Sequence, residues 1–112
     1  GLMFCHCEYI ERELDKLFLK LKEENYLKNT NFDEIPSRAA FYMGEINAIH
    51  PFRDGNGRAQ REFIRELLLP LNLQIDYSKC PKDMMLKASI ASFNGDDSIL
   101  TKLYKMCIYP KN

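Results

Sequence analysis

From Glu8 to about Lys28 the apolar residues Ile10, Leu14, Leu17 and Leu21 return every three or four positions, with Glu and Lys between them. That spacing lines one face and predicts an amphipathic helix. The stretch before it, GLMFCHC, is short and mostly apolar and reads as a strand or one arm of a hairpin. NTNFDEIP interrupts the period, and Pro36 suits the first turn of a second helix through Ser37 to about Ile49. Pro51 ends that helix, because the residue before a proline is pushed out of the α region. Helical spacing resumes from Arg58 to Leu69 and stops at Pro70. A fourth helix, roughly Pro81 to Phe93, closes at Asn94-Gly95, a common C-terminal signal. Asp96 or Asp97 can cap a last helix reaching about Ile108. Five helices with at most one small hairpin predict an all-α domain over residues 1–112.

Composition narrows the class without changing the architecture. A hydrophobic fraction of 46% places the chain among globular rather than disordered sequences, and 112 residues suit one domain with a modest core. Sixteen basic residues balance sixteen acidic ones, so no electrostatic footprint for nucleic acid or an anionic membrane is expected. No apolar run approaches the ~20 residues that span a bilayer, and no signal-peptide pattern appears. The cysteines are Cys5, Cys7, Cys80 and Cys107. Cys5-His6-Cys7 lacks the spacing of a zinc site and no second ligand pair follows, so reduced, partly buried cysteines in a cytoplasmic protein are expected.

One stretch, HPFRDGNGRAQR from His50 to Arg61, is not explained by packing. Gly55-Asn56-Gly57 can turn successive backbone N–H groups toward one point and form an anion nest. The helix beginning just after it adds its free N–H groups and positive dipole end. Arg58 and Arg61, three apart, project from one side of the first turns, and their planar guanidiniums match phosphate oxygens. Asp-Gly and Asn-Gly also favour hairpin turns, but helical patterns flank this stretch on both sides. A carboxylate beside a phosphate cradle suits a bridging Mg²⁺, so Asp54 is a candidate metal ligand, with a helix cap as the plainer role. His50 titrates near neutrality and is a candidate general base. Phe52 is expected to anchor the loop in the core.

The segment matches H-x-F-x-[D/E]-G-N-G-R-x-x-R at every specified position and so resembles the signature of Fic-domain proteins. Glu45 to Ile49 resembles the family's lead-in helix, and weaker similarity reaches Ser92 to Asp96 and the apolar start. The resemblance implies a compact Fic/Doc-like helical domain that transfers AMP from ATP, with Mg²⁺, to a Tyr, Ser or Thr hydroxyl of a target protein. His50 would be the catalytic base and Asp54 would hold the metal. Gly55, Asn56, Gly57, Arg58 and Arg61 would bind ATP, Arg61 nearest the γ-phosphate. Asn47, one turn before His50, would touch the nucleotide or serve as a buried amide. Leu86 and Phe93 would wall the adenine or belong to the core.

By the same resemblance, Leu2, Met3, Phe4 and Cys5 occupy the place of a β flap that docks the target by strand addition, or form a structural hairpin arm. The flap would be shortened at its N-terminus. Relatives that move phosphate, UMP or phosphocholine, and a non-catalytic interaction domain, are the alternative functions. Fic proteins are often inhibited by a glutamate in S/T-x-x-x-E-G/N. Thr30 to Glu34 has the spacing, but Ile35 follows and the segment is irregular. Inhibition is therefore expected from an antitoxin-like partner or a segment outside this chain.

Overall fold

The computed structural model describes residues 2–49 and 56–111, the side chains of residues 2–7 and 56 excepted. Five helices form in the expected order: α1 (Leu2–Glu23), α2 (Ile35–Ile49), α3 (Asn56–Leu68), α4 (Lys82–Phe93) and α5 (Ser98–Cys107). Two three-residue strands, β1 (Leu73–Ile75) and β2 (Ile108–Pro110), pair antiparallel with Leu73 opposite Pro110 and Ile75 opposite Ile108. The small β element therefore lies at the far end of the chain from where the sequence pattern put it.

Leu2 to Cys5 form the first turn of α1, which corrects the expected strand or flap. No glycine or proline stands between Leu2 and Glu23, so nothing halts helix propagation toward the start. Among the described residues β1 and β2 pair only with each other, and residues 2–5 join neither.

α2 is the hub and touches each of the other four helices. Ile35, Pro36, Ala39, Ala40, Tyr42, Met43 and Ile46 are all buried along it, as expected for a helix apolar nearly all round. Gly44 has a steric reason. A Cβ there would lie 2.4 Å from Ser92 Oγ and 3.2 Å from Asp97 Oδ1, so α2 presses directly on the corner between α4 and α5. Ser92 Oγ donates to Asp97 Oδ1 at 2.5 Å and fixes that corner. Gly95 turns the chain there with φ +92°, and Asp96 accepts from Ser98 N–H at 2.9 Å, making Asp96 the side chain that caps α5.

A second clamp joins the end of α1 to α2. Arg38 donates to both oxygens of Glu24, from Nε at 2.8 Å and Nη2 at 2.6 Å, and the Tyr42 hydroxyl also donates to Glu24. Burial pushes the Glu24 carboxyl up, but hydrogen bonds from Arg38 and Tyr42 and the Arg38 charge together hold it below its ordinary value.

Cys80 and Cys107 are joined by a disulfide, contrary to the expectation of reduced cysteines. Their separation of 27 positions gives no local signal, and the pairing arises because α5 returns to the turn that precedes α4.

Candidate functional site

The C-terminal end of α2 and the N-terminal end of α3 bracket the motif. His50, Asp54 and Gly55 lie outside the described residues, as do Phe52 and Pro51. α3 opens at Asn56, two positions earlier than the periodicity predicts, so Asn56 and Gly57 belong to its first turn. Gly57 has no left-handed φ. Its contribution to an anion site is a free N–H at a helix start rather than a nest conformation.

Gly57 also makes room. A Cβ at this position would come 3.1 Å from Arg61 Nη1, so the Arg61 guanidinium folds back along the helix over the glycine one turn earlier. Arg58 and Arg61 are both exposed. With Glu62, Arg65, Ile75 and Tyr77 they line an open hollow of about 300 Å³. Three guanidiniums face one carboxylate there. Glu62 is engaged by Arg65, whose Nε donates at 2.9 Å and whose Nη2 donates to the other oxygen.

A second hollow of about 340 Å³ lies between α2 and α4 and is lined by Asn47, Ala48, Ser89, Ile90 and Phe93. Phe93 occupies the predicted wall position, but Leu86 does not line the hollow and is 63% exposed. Ile90 takes its place. One hydrogen bond ties α3 to the apolar hollow. Gln60, the buried polar residue of α3, donates from Nε2 to Asn47 Oδ1 at 3.4 Å, and its neighbour Arg61 edges the arginine hollow.

Sequence reasoning missed Gln60, Ile90 and Tyr77. Gln60 carried a usable signal, since it shares a helical stripe with the buried Ile64, Leu67 and Leu68. Leu86, Ile90 and Phe93, spaced four and three apart, form an apolar stripe left exposed on α4. Tyr77 carried none, because it reaches α3 only through the chain's return by β1.

Among the described residues no cluster of three or more His, Cys, Asp or Glu could hold a metal. A site with one protein carboxylate still fits Mg²⁺, which keeps waters and takes phosphate oxygens for its remaining positions. No helix of the described residues is long and apolar enough to cross a membrane.

The sequence profile of the Fic/DOC family matches residues 1–68. The chain is 37% identical over 102 residues to the protein adenylyltransferase VbhT of Bartonella schoenbuchensis, covering 91% of this chain and 21% of that one. It is 44% identical over 94 residues to the probable protein adenylyltransferase y4lH of Sinorhizobium fredii, covering 83% and 49%. The BepC protein of Bartonella tribocorum with bound AMPPNP superposes with a TM-score of 0.85 at 32% identity, over 92% of this chain and 50% of that one. An N-terminal Fic domain from Bartonella quintana with bound ADP gives 0.86 at 34% identity, over 92% and 49%. The chain thus spans half or less of the length of these proteins.

Proposed function

We propose that this chain, which belongs to the Fic/DOC family, is a protein adenylyltransferase that moves AMP from ATP to a hydroxyl of a target protein. The observation that carries this reading is the α3 start, whose first-turn N–H groups accompany Arg58 and Arg61 at the arginine-lined hollow, while Gln60 of the same helix bonds Asn47 of the apolar one. A nucleoside triphosphate has that polarity: an apolar base at one end and concentrated negative charge at the other. The Fic structures that this chain resembles, one with AMPPNP and one with ADP bound, support a nucleotide co-substrate.

In this reading the base enters between α2 and α4, against Ile90 and Phe93, with Asn47 at its edge held by Gln60. Arg58 and Arg61 take the β- and γ-phosphates bidentately. The first-turn amides of α3 and the Gly55 N–H stabilise the charge that develops on the α-phosphate oxygens. His50 follows the last residue of α2 and takes the proton of the target hydroxyl as its oxygen attacks the α-phosphorus. The bond from that phosphorus to the bridging oxygen breaks, and pyrophosphate leaves. Asp54 would hold Mg²⁺ against the phosphates, where the ion's charge would neutralise theirs. Positioning and charge neutralisation supply most of such a barrier reduction, which suits a site without a covalent nucleophile.

The target is a protein bearing Tyr, Ser or Thr, and an antitoxin-like chain supplying a glutamate to Arg61 would inhibit transfer. Docking of the target along Leu2 to Cys5 by strand addition has no support from a helical segment. ATP as co-substrate places transfer in a cytoplasm, where the burial of Cys80 and Cys107 would shield their bond from reductants.

The experiment is incubation with Mg²⁺ and ATP labelled at the α- or the γ-phosphate, read by intact mass and by label on lysate proteins. Incorporation of one AMP with α-label alone is expected. Transfer of the γ-label would make the chain a kinase, and no label from either would make it an interaction domain.

A further inference from the structure

The arginine hollow contains one uncharged hydrogen-bonding group that the motif does not supply. Tyr77 lies in a single 3₁₀ turn, Tyr77–Lys79, and lines the hollow with Arg58, Arg61 and Arg65. The fold holds that turn from several sides. Asp76 N–H donates to the Cys107 carbonyl at 2.9 Å. The Asp76 carboxylate accepts from Ser78 N–H at 3.0 Å and from Ser78 Oγ at 2.5 Å. Cys80, one residue beyond the turn, is bonded to Cys107. The Tyr77 ring meets Tyr104 edge-on with centroids 6.1 Å apart, and the two hydroxyls are 3.2 Å apart.

The direction of that hydroxyl contact follows from counting protons. Each phenol has one proton to give. Tyr104 is fully buried, and among the described residues Tyr77 is its only hydrogen-bond partner. A buried hydroxyl left without an acceptor is costly, so Tyr104 donates and the Tyr77 oxygen accepts. The Tyr77 proton is then left free for another acceptor, and Tyr77 lines the hollow that Arg58, Arg61 and Arg65 also line. A donor placed among cationic groups is satisfied by an anion. Burial pushes the Tyr77 phenol up to about 12, while the hydrogen bond with Tyr104 and the Arg61 charge pull the other way, so it remains a protonated donor at neutral pH. Arg65 is the less apt partner for a ligand, because Glu62 already occupies its fork.

We propose that Tyr77, oriented by Tyr104, donates a hydrogen bond to the terminal phosphate of the bound nucleotide beside Arg61 and so helps the site to distinguish a triphosphate from a diphosphate. The inference rests on the nucleotide reading above and adds to it a residue outside the family signature. A hydroxyl fixed by a rigid turn is pre-organised for one phosphate position, which is where length discrimination has to be made.

The test is calorimetric titration of ATP and ADP, with Mg²⁺, into the parent chain, Tyr77→Phe and Tyr104→Phe, alongside their melting temperatures. Tyr77→Phe keeps the ring and its edge contact and removes the donor. ATP affinity is expected to fall about tenfold or more, as for a lost hydrogen bond to a charged group, with ADP affinity changed less than about twofold. Tyr104→Phe is expected to weaken ATP by a smaller factor, because Tyr77 keeps its proton and loses only its orientation. Unchanged ATP affinity in Tyr77→Phe would overturn the proposal. So would a parallel loss of ATP and ADP affinity with a lowered melting temperature, which would make Tyr77 a purely structural residue. A parent chain that binds neither nucleotide would instead sink the nucleotide reading itself.

Discussion

The absence of one methyl group at position 57 decides where an arginine lies. With Arg61 Nη1 3.1 Å from the place of an alanine Cβ, Gly57→Ala must move the guanidinium by a few tenths of an ångström. Alanine is also the better helix former, by up to about 1 kcal/mol. The variant is therefore expected to melt at the same or a higher temperature while binding ATP several-fold more weakly. An unchanged ATP affinity would mean that Arg61 reaches the phosphate from another rotamer. Arg61→Ala should weaken ATP more than ADP, by about 1.5–3 kcal/mol, and equal losses by calorimetry would reassign this arginine. His50→Ala should retain ATP binding and lose transfer by a factor of ~10² or more, since a base acts chiefly in the transition state. Near-normal transfer in that variant would remove His50 from the role.

These residues stand out as candidates because a histidine, a carboxylate, glycines and arginines in one short run have no packing rationale. Gln60 and Tyr77 do not, for opposite reasons. Gln60 is hidden among core positions of α3, and Tyr77 reaches the site only through tertiary return of the chain.

Among the elements, α2 shows most plainly what packing demands. Gly44→Ala would drive a Cβ into Ser92 Oγ at 2.4 Å and disturb its bond to Asp97, at a cost of about 1–3 kcal/mol. Ser92 Cβ stands 3.7 Å away, so adding Ser92→Ala should recover part of that loss, and a double variant no more stable than the single would show that the backbones themselves collide. The clamp between α1 and α2 has a pH signature. Because the folded Glu24 carboxyl sits below its ordinary value, its stabilisation is full above that value and disappears as pH falls through the folded one. Glu24→Gln should lower stability by about 1–2 kcal/mol near neutrality, and melting curves of the two proteins should converge as pH falls below the ordinary carboxylate range. A gap that stays constant with pH would mean that the carboxylate's charge contributes nothing.

The helices were readable because Pro36, Pro51, Pro70 and Asn94-Gly95 punctuate them and the apolar spacing fills them in. The strands were not, since three residues are too few to show alternation. The segment at 2–5 misled for a related reason: a short apolar run without polar interruptions has no period by which strand and helix can be told apart.

For the molecule as a whole, the balance of charge leaves recognition to local features. Glu34 is the one glutamate in the chain with the spacing of a self-inhibitory motif, and it ends a 3₁₀ turn at the start of α2. The motif loop follows the other end of that 15-residue helix, about 20 Å away by helical rise. Glu34→Gly is accordingly expected to leave ATP affinity and self-modification unchanged. A large gain in either would identify Glu34 as the chain's own inhibitor.

The bond from Cys80 to Cys107 joins positions 27 apart and encloses α4, which carries Ile90 and Phe93, together with α5. In the loop-entropy account such a closure is worth about 3–4 kcal/mol, so a thiol reductant should lower the melting temperature of the parent but not of Cys107→Ala. It also changes what a cut can do. A protease that nicks the chain once near Asn94-Gly95 produces two pieces that stay covalently attached, migrating as one band without reductant and as two with it. α5, which packs on α2 and α4, would thus remain tethered to the piece that carries them, even in a molecule whose backbone had been severed.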